Sequence, residues 1–236
     1  MAVARLGLLG GTFDPVHAGH VAVAAAARER LGLSRVWLLP TRIPPHRPTQ
    51  PSASIYHRFA LTGLAALSAE GLEACDIDAE DNGPSYSYNV LARLHEQGHA
   101  ASTLVFILGA DAFADIASWY RYPAVLDMCH FAVISRPGLP AEAMRTRLPE
   151  WADRFVSVPA TAAVPQTDAI HWRRPAVYLI EASTPEVSST VIRQRLHAGE
   201  SIRGLVPLDV ERYITRHHLY AGDRRTAGHL HEHTSQ

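Results

Sequence analysis

Gly10-Gly11-Thr12-Phe13-Asp14-Pro15-Val16-His17-Ala18-Gly19-His20 follows a short apolar run, Val3–Leu9, and opens an alanine-rich stretch, Gly19–Leu31, of helical character. A buried strand, a glycine turn and a helix start in that order form the unit from which parallel α/β sheets are assembled. Gly10 and Gly11 permit a tight turn and close approach of the backbone to a ligand. Gly19 leaves room for a phosphate beside unpaired N–H groups and the positive end of the helix dipole. His17 and His20 are three residues apart and can point to one side of the first helical turn. Two imidazoles beside free N–H groups suit a polyphosphate whose charge grows during reaction. Asp14, His17 and His20 are also of types that ligate zinc or iron, and plain packing is the bland alternative.

Outward from this turn, Arg35–Leu39, Leu72–Ile77, Thr103–Leu108 and His130–Ile134 read as further buried strands, with Ala176–Ile180 as a last one. Helical patterns lie between them, at Ile55–Glu70, Tyr86–Gln97 and Asp111–Trp119, and Gly32, Gly71 and Gly98 stand where helices should stop. The alternation predicts an α/β fold: a Rossmann-like, doubly wound parallel sheet with ligands bound outside the carboxyl ends of the strands. Pro137–Pro175 is irregular, with a helix expected over Ala141–Trp151 and loop elsewhere. Ser188–His197 and Pro207–His217 read as closing helices. They make a small helical C-terminal section, about 186–221, of one domain spanning 1–221. Residues 222–236 are polar and are expected to form a disordered tail.

The composition narrows the chemistry. The chain has 236 residues, 47% hydrophobic and 19% charged, with a formal net charge of -1, so no global field draws it to nucleic acid or membrane. No apolar run is long enough for a transmembrane helix, and the first residues lack the order of a signal peptide. Cys75 and Cys129 stand alone, which fits a reducing, cytoplasmic setting. All 22 basic residues are arginine. That excludes Schiff-base lysines, the Walker A and kinase lysines, and Ser–Lys hydrolases. Bound phosphate must therefore be met by arginine, histidine, backbone N–H groups and a metal.

A second motif, Val187-Ser188-Ser189-Thr190-Val191-Ile192-Arg193, sets three hydroxyls at a helix start with a guanidinium one turn on. Serine there is an ordinary N-cap; together the four side chains also make an anion cradle, with Arg193 supplying the fork that lysine supplies elsewhere. The two motifs together resemble the (T/H)xGH turn and SSTxxR helix of the cytidylyl- and adenylyltransferase superfamily. Pro44-Pro45-His46-Arg47, Pro84-Ser85-Tyr86-Ser87, Gly109-Ala110-Asp111 with Trp119-Tyr120, and Ser135-Arg136-Pro137-Gly138 are similar to segments of the bacterial nicotinate-nucleotide adenylyltransferase family. The likeness runs from about Leu6 to Tyr220.

The resemblance implies transfer of AMP from ATP to nicotinate mononucleotide, giving deamido-NAD and pyrophosphate, with Mg²⁺ arriving on ATP and no prosthetic group. It implies catalytic roles for His17, His20 and Arg193. ATP and its phosphates would meet Gly10, Gly11, Thr12, Phe13, Gly19, Gly109, Asp111, Ser188, Ser189 and Thr190. Trp119 would stack on the pyridine ring, and Ser87 and the backbone near Tyr120 would face its carboxylate. His46, Arg47 and Arg136 would complete the acceptor side. Residue spacing alone leaves open an amide or another phosphorylated acceptor, a non-catalytic nucleotide-binding regulator, and a monomer or a homo-oligomer.

One further motif is a decoy. His95-Glu96-Gln97-Gly98-His99 spells the zinc-protease motif, but Gly98 should end the helix and leave His99 outside it. His229, His231 and His233 alternate in the expected tail, where a native metal site is not expected.

Overall fold

The computed structural model describes residues 4–45, 49–79, 83–158 and 175–222. The chain runs β1 (Leu6–Gly11), α1 (Ala18–Leu31), β2 (Arg35–Pro40), α2 (Ile55–Ala66), β3 (Leu72–Ala74), α3 (Ser87–Glu96) and β4 (Leu104–Gly109). It continues through α4 (Ala110–Ala114), β5 (His130–Ile134), α5 (Met144–Arg147), β6 (Phe155–Val158), β7 (Val177–Ile180), α6 (Ser189–His197) and α7 (Leu208–Arg216). The strands form one seven-stranded sheet ordered β3-β2-β1-β4-β5-β7-β6, and every pairing is parallel.

Period-two alternation divides the strand residues between two covered faces. Val105 and Ile107 join Val23, Leu61, Ile192 and Val210 in one apolar cluster under α1, α2, α6 and α7. Leu104, Phe106 and Leu108 join Leu91, Phe113 and Met144 in the other, under α3, α4 and α5. Burial on both faces is why the strands read as continuous apolar runs. The strand order reverses between β1 and β4, where Leu9 pairs with Ile107. The carboxyl ends at that switch are Gly10–Gly11 and Gly109.

The architecture is the expected one, with local departures. The strand at Leu72 stops at Ala74. The expected helix over Asp111–Trp119 gives way after Ala114 to a single tighter turn, Ile116–Ser118, in which Ser118 N–H and Trp119 N–H bond the carbonyls three residues back. The expected helix over Ala141–Trp151 breaks into short turns around α5. Leu148, preceding Pro149, is forced from helical geometry (φ -130°, ψ 62°). The four-residue edge strand β6 was expected to be loop. Gly98, at φ 91°, stops α3 before His99, so the two histidines of the zinc-protease motif do not share a helix; His95 Nε2 lies 2.8 Å from the Met128 carbonyl. His46, Arg47 and the tail lie outside the described residues. Among the described residues no helix is long and apolar enough to cross a membrane.

Candidate active site

The turn after β1 is built from polar groups that fix one another. Asp14 is 2% exposed. Its Oδ1 accepts Ala53 N–H (3.0 Å) and Tyr220 O–H (2.9 Å), and its Oδ2 accepts Ser52 N–H (2.8 Å). These bonds occupy the carboxylate that the metal-site alternative required. Among the described residues no group of three or more His, Cys, Asp or Glu is arranged to hold a metal.

His17 caps α1, and its backbone N–H donates to His20 Nδ1 (3.2 Å). A backbone amide can only donate, so in neutral His20 the ring proton is held on Nε2, the remaining edge. The two imidazoles stack with centroids 3.6 Å apart. His17 is 4% exposed, and its Nδ1 is buried without a hydrogen-bond partner. Burial, and secondarily the charge of Arg136, pushes its pKa down to about 4, so the free protein holds this ring neutral at pH 7.

Two residues of this turn are held by packing. Phe13 is 1% exposed and packs edge-on against His20 (4.9 Å), so it braces the ring and offers no side-chain surface to a nucleotide. At Gly19, a Cβ would sit 3.1 Å from the His17 ring and 3.3 Å from the Pro185 carbonyl. The space that glycine leaves is used by protein atoms.

The C-terminal motif docks on the same turn. Ser189 Oγ donates to the Pro15 carbonyl (2.9 Å), and Arg193 Nη1 donates to the Asp14 carbonyl (2.7 Å). Ser188 is the N-cap of α6, accepting Val191 N–H (3.2 Å). The Ser189 hydroxyl is thus spent on folding, while Ser188, which only accepts, keeps its O–H as a donor. Thr190 and Arg193 instead border a hollow of about 370 Å³ with Ser52, Gln194, His197 and Tyr220.

At the β1/β4 switch lies a second cavity, of about 330 Å³. Gly10, Gly11 and Thr12 floor one side, and Phe106, Trp119 and Tyr120 wall the other. Trp119 stands edge-on to Phe106 (5.8 Å), and Tyr120 stacks on Tyr86 (4.5 Å). Tyr86 is the N-cap of α3 and Ser87 its first residue, so the positive end of a ten-residue helix borders this cavity. Arg136, expected on the acceptor side, is not among the lining residues. It pairs with Asp111 (3.4 Å), and a Cβ on Gly109 would clash with both side chains. The ion pair lies across the Gly109 Cα, so a side chain there would have to displace these two partly exposed groups.

The cytidylyltransferase-like family model matches residues 8–195. The chain belongs to that family. Two curated relatives, from Geotalea daltonii and Serratia proteamaculans, are each 36% identical to it, covering 93% and 90% of this chain and 100% and 94% of their own length. Each is named probable nicotinate-nucleotide adenylyltransferase, and that is the branch to which this nucleotidyltransferase belongs. A solved Plasmodium falciparum nicotinic acid mononucleotide adenylyltransferase, complexed with NaAD, shares the fold: TM-score 0.67, 18% identity, 92% of this chain and 98% of that one.

In this nucleotidyltransferase the residue that sequence reading missed most completely is Arg58. It is 1% exposed on α2, donating to the carbonyls of Ala53 (3.1 Å), Thr12 (2.7 Å) and Thr41 (2.6 Å). It ties the turn after β1 to the segment after β2 beneath the cavity. Only its place in an apolar helix pattern marked it, and an exposed charge on an amphipathic face gives the same pattern. Tyr86 and Tyr88, also cavity-lining, lie beside the quoted Ser87 but were given no role. Neither cysteine is in a disulfide, and burial pushes the Cys129 thiol well above its ordinary range, so Cys129 stays protonated.

Proposed function

We propose that this chain transfers AMP from ATP to nicotinate mononucleotide, forming deamido-NAD and pyrophosphate in the cytoplasm, with residues 1–221 as one catalytic unit. The carrying observation is the cavity at the strand-order switch, where an aromatic wall, the start of α3 and the glycine turn meet. Its volume suits a pyridine nucleoside monophosphate. Trp119 offers a face to the ring. The helix start supports an acid over its amide, because free N–H groups and the dipole favour a carboxylate.

The attacking atom is a phosphate oxygen, already anionic at neutral pH, so neither a general base nor a covalent intermediate is needed. What remains is to hold two anions in line and offset charge on the α-phosphate and departing pyrophosphate. His20 donates through Nε2–H. His17 meets a phosphate as a neutral ring, and the incoming charge raises its proton affinity as the reaction proceeds. Arg193 supplies a fixed cation from the opposite end of the chain. Magnesium, carried by the triphosphate, would offset part of its charge. The donor set fits that arrangement rather than a protein cage, since Asp14 is 2% exposed and already accepts three hydrogen bonds, and Asp111 is exposed but paired with Arg136.

Incubation with ATP, Mg²⁺ and each pyridine mononucleotide, followed by pyrophosphate measurement, tests the reading. Release with the acid and little with the amide is expected. Preference for the amide overturns the substrate assignment, and no release with any acceptor favours a nucleotide-binding regulator.

A further inference from the structure

The last described residues return to the first turn. His218 and Tyr220 adopt φ 51° and 63°, left-handed conformations that side-chain-bearing residues rarely take, and the chain folds back after α7. Tyr220 thereby donates to Asp14 Oδ1, 206 positions away in sequence, at 2.9 Å. Oδ1 also holds Ala53 N–H, while Oδ2 holds Ser52 N–H and stands 3.8 Å from Arg193 Nη1. That same nitrogen is already donating to the Asp14 carbonyl. Arg193 therefore sits beside the carboxylate without closing a short ion pair on it, and it borders the same hollow as Tyr220 and Thr190.

We propose that Tyr220 is a positioning residue for the nucleotidyl transfer: by supplying a donor to Asp14, it keeps Arg193 facing the hollow. An aspartate that lacks a donor draws the nearest cation toward itself. Removing the phenol would tighten Arg193 onto Asp14 and turn its free N–H groups away from the triphosphate. Burial, with the adjacent Asp14 charge, pushes the Tyr220 phenol well above its ordinary value, so the O–H stays a donor throughout the working pH range. The inference rests on the proposed role of Arg193.

The test is a double-mutant cycle in the full chain with Tyr220→Phe and Arg193→Ala. Tyr220→Phe should raise the KM for ATP about tenfold and leave that for the acceptor within about twofold. In the Arg193→Ala background the same change should alter the ATP constant less than about twofold. Calorimetric titration of ATP with Mg²⁺, without acceptor and at low temperature, gives the same cycle on folded protein even if the variant melts early. It also separates the two ideas. Wild type that binds ATP yet turns over no acceptor refutes the reaction, while the binding cycle still decides the role of Tyr220. An unchanged ATP constant, an equal rise for both substrates, or a tenfold effect that survives in the Arg193→Ala background overturns the proposal.

Discussion

The two ends of the site are built by opposite means. Around Asp14, each polar group answers another: two amides, a phenol and a guanidinium converge on one aspartate, and Arg58 pins the carbonyls of Thr12 and Thr41 from beneath. At the cavity, the walls are aromatic rings held by stacking, with Tyr120 still 41% exposed. The first region is set before any ligand arrives, as in-line phosphoryl chemistry requires, because stabilising donors must not reorganise during the reaction. The second recognises a flat ring by surface, at the cost of looser definition. Rate should therefore depend on the turn, and acceptor affinity on the wall.

The hardest test of that contrast is His20→Ala. Loss of a donor present only on the preset side should lower kcat about 1000-fold, about 4 kcal/mol in barrier, with the far-ultraviolet spectrum unchanged. A variant within tenfold of wild type removes His20 from the chemistry. Next, Arg58→Ala leaves the carbonyls of Ala53, Thr12, Thr41 and, at 3.3 Å, Arg42 without their buried cation and should cost about 3 kcal/mol of unfolding free energy in urea. A loss under about 1 kcal/mol would show that the turn is held by other means.

A smaller effect comes from pH. Burial lowers the His17 pKa to about 4 from its ordinary 6.5. The unfolded chain thus takes up a proton at higher pH than the folded one. Stability is complete above pH 6.5, falls as pH drops toward 4, and should lose about 2 kcal/mol by pH 5. His17→Asn should flatten that portion of the profile in urea titrations at successive pH values; an unchanged slope would assign the loss to other groups. The smallest effect belongs to the wall. Trp119→Ala should raise the acceptor KM about tenfold and the ATP KM hardly at all, and equal effects would argue against stacking.

These two regions also differed in how far they could be read in advance. The turn lies in eleven consecutive residues, so its strand, glycines and histidines were visible together, and β5 was placed to the residue at His130–Ile134. The remainder depends on contacts that local patterns do not encode. Arg58 has the spacing of an ordinary helix charge, and only burial reveals it as a clamp. Phe13 looked like part of a nucleotide loop until the space beside Gly11 proved to hold its ring. Ser188 and Ser189 have the composition of a cradle, and their neighbours turn them into a cap and a dock. The edge strand β6 has four residues, too few for alternation to show, although Phe155 and Val158 face inward.

Since every pairing in the sheet is parallel, the loops proposed to serve transfer leave from one rim, and among the described residues the opposite rim carries the connections that enter the strands. The bend at Gly98–Ala100 and the one at Gly32–Ser34 belong to that second rim. A fluorescent reporter, an affinity handle or a surface tether inserted there would sit a full strand length from the nucleotide, leaving the working end of the molecule open to solvent and substrate.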